Sequence, residues 1–398
     1  MDSLPTDQKF WSDNLLLGVA TVVAGIFNML YSVVLAHALG PQSYGKIVTL
    51  NNLVGLFLLP LPLVGLLAIR LGKRAQNRGL TYTVLGMGLV MFCIAVVLRG
   101  SLAHIFHLPP ALIVLYVASV IPNFGYALYI GFLERARSYA VVGILLAMAS
   151  GLGVGAVSLA VSRGRPHPLV WAGVLQGALA VGMFLLSRWQ SHKAPELKPS
   201  ALAPTILVTT IGIGTLQALW GMSDSLLAKA HLSGLDAGLY TGIATVGQAL
   251  PFVVSSVATV MLTAVLDDPG HPRPYLVRSL GVTAILAVGF LGVVYLIPRT
   301  VVVVFLGVHF ISIVPLLVVY GGAMTALAFV IVLTTYGVAV GNWWSVIPAA
   351  AGTLLWIIWM LNSHQMGSLV VRTLWSMLLT LAGLVVTGWL SSRRHSIA

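Results

Sequence analysis

Residues 35–45 read LAHALGPQSYG, and residues 227–240 read LAKAHLSGLDAGLY. Each stretch is a short polar elbow that follows one hydrophobic run and opens the next. The glycines near the ends of the two elbows, Gly45 and Gly238, stand 193 positions apart, which is close to half of the 398 residues. Self-similarity at a fixed spacing indicates an internal repeat. The chain is therefore predicted to consist of two similar halves.

The composition is far more apolar than that of a soluble domain. Hydrophobic residues make up 59% of the chain and charged residues 8%, with a mean hydropathy of +1.00. A soluble domain carries about 25% charged residues, and a helix that crosses a bilayer needs about 20 mostly apolar residues. Twelve runs of this kind are predicted, at 15–36, 47–69, 80–98, 111–133, 139–161, 169–187, 202–226, 240–266, 276–297, 311–340, 345–361 and 369–390.

The polar interval 188–203 divides these runs into six and six. It contains two prolines and mixed charges and has no helical periodicity, so the predicted lobes are residues 1–198 and 199–398. Because six is even, both halves enter the membrane in the same direction, and the repeat is parallel. The predicted fold is an all-α polytopic membrane protein with 12 transmembrane helices in two six-helix bundles. Duplicated bundles are typical of secondary transporters.

The distribution of basic residues along this chain indicates its orientation in the membrane. The net charge of +12 is spread in small groups between apolar runs, which argues against nucleic-acid binding. If the N-terminus is cytoplasmic, two thirds of the 21 lysines and arginines fall on the cytoplasmic side, as the positive-inside rule requires. We therefore predict a multi-pass plasma-membrane protein with both termini in the cytoplasm. Cys93 is the sole cysteine, and the sequence predicts no metal site and no cofactor.

The second helix of each half is predicted to be interrupted. Pro60 and Pro62 fall inside the first of these helices, and Gly247 and Pro251 inside the second. Proline removes an amide donor and clashes with the preceding turn, so each helix should kink. Interrupted helices in corresponding positions of two repeats indicate a transporter's central site.

The chain resembles bacterial polysaccharide flippases of the multidrug, oligosaccharidyl-lipid and polysaccharide exporter superfamily, which share a MATE-like architecture. Besides the first elbow, the stretches that carry the resemblance are Asn51-Asn52, VGLLAIR at 64–70, DSLLAK at 224–229, DAGLYT at 236–241 and QALPF at 248–252. The resemblance implies a V-shaped cleft between the lobes that opens alternately to each side and carries a polyprenyl-pyrophosphate-linked saccharide. The family usually has arginine where this chain has His37.

Six residues are predicted to bind the substrate. The resemblance implies a basic residue near the cytoplasmic mouth of the cleft, although positive-inside anchoring also accounts for it. Two of the basic residues occupy matching positions of the repeat, and a third flanks the same helix ends. Uncharged amides can bond sugar hydroxyls or a neighbouring helix. The six are Arg70, His37, Lys229, Lys46, Asn28 and Gln248.

Asp224 is the one acidic residue that lies within an apolar run. A carboxylate near the middle of a membrane costs on the order of 3 kcal/mol, so it normally has a partner or a task. We predict that Asp224 couples transport to Na⁺ or H⁺. The alternative is that it lies near a helix end and pairs with Lys229 or water.

Three functions are compatible with the sequence. The leading one is a lipid-linked oligosaccharide flippase, which catalyses no covalent chemistry and lies near the enzymes that assemble the polysaccharide. The second is a cation-coupled multidrug exporter of the same superfamily, which needs an ionisable relay. The third is an integral membrane glycosyltransferase or polymerase, for which the adjacent pair Asp267 and Asp268 is the one candidate acid pair.

Overall fold

The computed structural model describes residues 7–61, 63–65, 68, 78–136, 138–162, 167–193, 204–268 and 270–395. All regular structure in these ranges is helical, and no strand occurs in them. The helices are α1 (Asp7–Phe57), α2 (Arg78–Phe106), α3 (Pro110–Val117), α4 (Val120–Arg135), α5 (Tyr139–Ser162), α6 (Pro168–Ser191), α7 (Pro204–His231), α8 (Gly234–Gly247), α9 (Ala249–Asp267), α10 (Pro272–Leu296), α11 (Pro298–Leu306), α12 (Val314–Ala339), α13 (Val346–Leu361) and α14 (Met366–His395). Short 3₁₀ turns precede α12 and α13.

The all-helical membrane fold is confirmed. Within the described ranges, nine helical segments are long and apolar enough to cross a membrane. One of them, Val19–Phe57, overlaps the first two predicted spans, 15–36 and 47–69. The predicted runs at 202–226 and 345–361 coincide with α7 and with the shorter apolar helix α13. The chain is thus built as a multi-pass membrane protein.

Two compact units make up the chain. The first consists of Met1–Leu35 and Leu50–Leu202, and the second of Ala36–Thr49 and Ala203–Ala398. The predicted lobe boundary lies at 198/199, and the second unit begins at Ala203. The first elbow, however, belongs to the second unit, although the chain on both sides of it belongs to the first.

The first elbow is a single-residue kink. The sequence predicted one helix up to residue 36 and another from residue 47, with an elbow between them. The structure has two helical parts that meet at a kink, and only Gly40 departs from helical geometry (φ 65°, ψ 173°), so the elbow is shorter than predicted. Glycine has no Cβ and adopts positive φ without strain. Pro41 follows it, and proline is well suited to open a helix because its φ is already fixed near the helical value.

The second elbow has a different local structure. Helix α7 runs to His231, and Ser233 caps the start of α8 by accepting a hydrogen bond from the backbone N–H of Asp236 at 3.3 Å. The Ser233 hydroxyl also donates to the Asp236 carboxylate at 2.9 Å. An acidic residue in the first turn also favours the helix through its dipole. The repeat is therefore similar in sequence but uses two different turns.

Both predicted helix interruptions are confirmed. Helix α1 ends at Phe57, and residues 58–60 form a turn in which the Leu61 N–H donates to the Leu58 carbonyl at 2.8 Å. In the second half, α8 ends at Gly247, and α9 begins at Ala249 with Pro251 in its first turn. Proline lacks an N–H, so it is tolerated in the first turn of the new helix.

Candidate functional site

A cavity of about 260 Å³ with a mixed polar and apolar lining lies within the first unit. Helix α1 contributes Asn28 and Tyr31 before its kink and Asn51 after it, while Ser150 comes from α5 and Gln176 from α6. The remaining lining is small or apolar, and none of the described residues that line the cavity is charged: Ala149, Gly153, Ala156, Val157, Ala172 and Leu179. The cavity therefore offers amides and hydroxyls without an ionic group.

Asn51 leaves one hydrogen-bonding atom of this cavity without a partner. Its Nδ2 donates to the Tyr31 hydroxyl at 3.2 Å, and its Oδ1 is buried and accepts no hydrogen bond from the described residues. A buried acceptor that lacks a donor costs about 1–3 kcal/mol. Asn51 is therefore a polar residue of the lining whose hydrogen bonding is incomplete.

Asp224 is held in a hydrogen-bond network inside the second unit. The carboxylate is 1% exposed, and the Tyr320 hydroxyl donates to its Oδ2. Its Oδ1 accepts from the Ser225 N–H at 2.6 Å and from Gln248 Nε2 at 3.5 Å. Gln248 Nε2 donates more closely, at 2.8 Å, to the carbonyl of Gly221. The network thus joins α7, α12 and the break between α8 and α9.

Gly247 permits this arrangement, because a Cβ at that position would lie 2.3 Å from Cε1 of Tyr320. The Tyr320 ring also packs edge-on against Tyr240, with ring centroids 6.0 Å apart. Tyr320 was missed by the sequence reasoning. A tyrosine inside the apolar run of α12 was the available signal, since a buried phenol normally has a hydrogen-bond partner.

No ion pair compensates Asp224 within the described part of the chain. The alternative partner, Lys229, lies five residues further along α7, and no ion pair joins it to Asp224 in the described part of the chain. Burying an unpaired carboxylate is costly unless it is protonated or binds a cation. The Asp224 network is therefore chemically able to take up a proton or a monovalent cation.

The first elbow packs backbone to backbone against the start of α8. A Cβ on Gly238 would lie 2.0 Å from the carbonyl oxygen of Pro41, and a Cβ on Gly45 would lie 2.8 Å from the Cα of Gly238. Tyr44, which is fully buried, shares a 2.6 Å hydrogen bond with Thr245. The two glycines that define the repeat in the sequence thus contact each other in the structure.

The predicted substrate residues fall into three groups. Asn28 lines the cavity of the first unit. Gln248 forms a hydrogen bond with Asp224. The third group, Lys46, Lys229 and His37, lies at the elbow end of the second unit, where His37 is the neighbour of Gly307. Arg70 lies outside the described residues. Tyr31 and Asn51 also line this cavity, and neither is among the six residues predicted from the sequence.

No family model and no curated protein matches the chain. Its fold, however, matches solved structures over nearly its whole length. A multidrug resistance MATE family transporter of the MOP superfamily, in an inward-facing conformation, aligns with a TM-score of 0.70 at 10% identity, over 96% of this chain and 100% of the other. The lipid II flippase MurJ aligns with a TM-score of 0.71 at 14% identity, over 94% and 87%.

A third solved structure gives the same result. The MATE multidrug transporter DinF-BH, solved in a complex, aligns with a TM-score of 0.65 at 12% identity, over 96% of both chains. At these identities the likeness concerns the fold alone. The chain has the all-helical fold that MATE transporters and the flippase MurJ share.

Proposed function

We propose that this protein is a membrane transporter that moves a polyprenyl-pyrophosphate-linked oligosaccharide across the bilayer by alternating access. The observation that carries the proposal is the cavity of the first unit, which is lined by amides and hydroxyls of Asn28, Tyr31, Asn51, Ser150 and Gln176 and by no charged residue among those described. The shared fold of MATE transporters and MurJ supports a transport role. No covalent step is part of the proposal.

The chemistry of the cavity favours a hydroxyl-rich, uncharged group. Each sugar hydroxyl is both a donor and an acceptor, and it can pair with an amide such as Asn51 or Gln176 and with a phenol such as Tyr31. A cationic drug would instead require a carboxylate or a cage of aromatic rings. The lining contains one aromatic side chain and, among its described residues, no carboxylate. A polyprenyl tail would remain in lipid.

Transport requires that binding differ between the two states of the carrier. A ligand shifts a conformational equilibrium only by as much as its affinities for the two conformations differ. We propose that the saccharide binds to the cavity in one state and is released when the helices around Asn51 and Gln176 rearrange. The kink at Gly40 allows the two parts of α1 to change orientation.

A second candidate, a cation-coupled multidrug exporter, is favoured by Asp224. This carboxylate is buried in the second unit and has hydrogen bonds but no ion pair within the described part of the chain. Such a group can bind a coupling Na⁺ or H⁺, which either kind of transporter could use. Asp224 therefore supports ion coupling for either cargo, and the uncharged cavity lining is the reason that we propose the saccharide.

The test is reconstitution of the purified protein in liposomes with a fluorescent polyprenyl-pyrophosphate saccharide. A membrane-impermeant quencher measures the fraction of the fluorescent cargo that has crossed the bilayer. We expect protein-dependent transfer of the lipid-linked saccharide and no transfer of small cationic dyes. Transfer of the dyes without the lipid-linked saccharide would overturn the proposal and establish the exporter.

A variant of the cavity sharpens this test. Asn51→Leu keeps the side-chain size but removes the amide, so transfer should fall about tenfold, as expected when a ligand hydroxyl loses its partner. Asn362→Leu is the matched control, because Asn362 is an exposed amide at the end of α13 whose Nδ2 donates to the carbonyl of Ile358 in its own helix. Equal transfer by both variants would remove the cavity from the mechanism.

A further inference from the structure

Two histidine side chains of the second unit lie against each other at the ends of separate helices. His231 is the last residue of α7, and His364 lies in the turn between α13 and α14. Their imidazole rings meet edge-on, with centroids 6.0 Å apart and planes inclined by 73°. His231 is half-buried and His364 is exposed. Imidazole nitrogen is a common ligand of transition-metal ions such as Zn²⁺ and Cu²⁺.

The packing of α7 along α13 holds the pair in place. The indole Nε1 of Trp220 in α7 donates to the hydroxyl of Thr353 in α13 at 2.8 Å, and these two residues are 133 positions apart. The same number of positions separates His231 from His364. The histidines therefore continue the register of the two helices, about three helical turns beyond the hydrogen bond.

A second hydrogen bond anchors the helices that follow. The hydroxyls of Tyr240 in α8 and Thr373 in α14 are 3.5 Å apart, again at a spacing of 133 positions. The turn that carries His364 is also fixed, because the hydroxyl of Ser363 is buried and donates to the carbonyl of Trp359 at 3.0 Å. The two histidines thus lie in neighbouring turns that are held on both sides of the pair.

The separation of the rings is close to that of two imidazoles on one metal ion. A Zn–N bond of about 2.0–2.1 Å places each ring centroid about 3.2 Å from the metal. Two such rings at a tetrahedral angle have their centroids about 5.2 Å apart. The observed 6.0 Å is slightly longer, and rotation of the exposed His364 side chain closes the difference.

We propose that His231 and His364 together bind a divalent transition-metal ion such as Zn²⁺. Among the described residues, no cluster of three or more histidines, cysteines or carboxylates is present, so water completes the coordination. Two cations lie close by in the fold: Lys229 precedes His231 by two residues, and Arg372 of α14 donates to the carbonyl of Trp359. These cations repel an ion that is held by charge alone, whereas imidazole binds transition metals through a nitrogen lone pair.

This inference goes beyond the proposed function and does not depend on it. A bound metal would join the end of α7 to the turn before α14 through two coordination bonds. Because the two histidines come together only when the second unit is folded, the metal should bind the folded state preferentially and raise its unfolding temperature. Thermal unfolding is therefore a second measurement, independent of any transport assay.

The main experiment is isothermal titration calorimetry of the full-length protein, purified in detergent without a polyhistidine tag. The probes are Zn²⁺, Cu²⁺ and Mg²⁺. We expect saturable binding of Zn²⁺, tighter binding of Cu²⁺ and no binding of Mg²⁺, which prefers oxygen ligands. His231→Asn and His364→Asn should each weaken Zn²⁺ at least tenfold, because even the loss of an outer-shell partner costs about 10- to 100-fold.

Two further variants separate a lost ligand from a folding defect. His309→Asn is the matched control, because His309 is an exposed histidine in the 3₁₀ turn before α12, and it should leave the Zn²⁺ affinity unchanged. His364→Cys replaces one zinc ligand by another and should retain binding. The electron paramagnetic resonance spectrum of bound Cu²⁺ should show two nitrogen ligands in the wild type and one in His231→Asn or His364→Asn.

Two results would overturn the inference. The first is the absence of saturable Zn²⁺ binding to the wild type. The second is an equal Zn²⁺ affinity of the wild type, His231→Asn and His364→Asn, with a Zn²⁺-dependent rise of the unfolding temperature that both variants retain.

Discussion

The contact between the elbow and α8 predicts that Gly238→Ala destabilises the protein. The added Cβ would lie 2.0 Å from the carbonyl oxygen and 2.5 Å from the carbonyl carbon of Pro41. Both are backbone atoms, so no side chain can turn away. Because ordinary contact begins near 3.4 Å, the two backbones would have to part by about 1.4 Å.

The magnitude follows from three contributions. Overpacking of a tight contact costs about 1–3 kcal/mol. The separation would also stretch the hydrogen bond between Tyr44 and Thr245, now 2.6 Å, which contributes about 1 kcal/mol. Alanine favours the helix over glycine by about 1 kcal/mol, and this offsets part of the loss. The net expectation is a destabilisation of about 1–3 kcal/mol.

The assay is thermal unfolding of the protein in detergent, followed by the fluorescence of its 10 tryptophans. The matched control is Gly281→Ala in α10, because a Cβ there meets no atom within 4 Å. Gly281→Ala should leave the unfolding temperature unchanged or raise it slightly through helix propensity. If Gly238→Ala unfolds at or above the wild-type temperature, the close contact of Pro41 with α8 is refuted.

Two other substitutions test the second unit. Asp224→Asn preserves the shape of the side chain but removes its charge, so any Na⁺ or pH dependence of transport in liposomes should disappear; dependence that persists would exclude Asp224 from coupling. Ser233→Ala removes the cap of α8 and should lower the free energy of unfolding by about 1 kcal/mol, measured by thermal unfolding. Ser255→Ala in α9, whose hydroxyl donates to the carbonyl of Phe252 in its own helix, should change it by less than about 0.5 kcal/mol. Equal losses at the two serines would show that the cap contributes nothing specific.

Apolar periodicity and proline chemistry made much of the fold predictable. In a membrane, the backbone N–H and C=O groups of a long apolar run find hydrogen-bond partners when the run is helical. The breaks near Pro60 and Pro251 follow from the amide donor that proline lacks. The length of the first elbow could not be read in this way. A glycine followed by proline permits either a loop or a one-residue kink, and the packing of residues 41–45 against α8 selects the kink.

The candidate sites were less predictable than the fold. Asp224 and Gln248 stand out singly as polar residues in apolar runs, but their hydrogen-bonded connection depends on α12, which contributes Tyr320 from 96 positions away. The position of Lys46 in the second unit depends on the elbow belonging to that unit. Sequence spacing carries no information about such long-range contacts, because they arise from the tertiary packing of separate helices.

The placement of residues 36–49 in the second unit affects how the two halves would behave as separate fragments. Division of the coding region at the linker would give an N-terminal fragment that carries a piece of its neighbour's core, and a C-terminal fragment that lacks it. The vacancy left by Tyr44 and Gly45 would open an apolar groove beside Thr245 and Gly238. The packing of the second unit is therefore completed by a segment that the ribosome has already made.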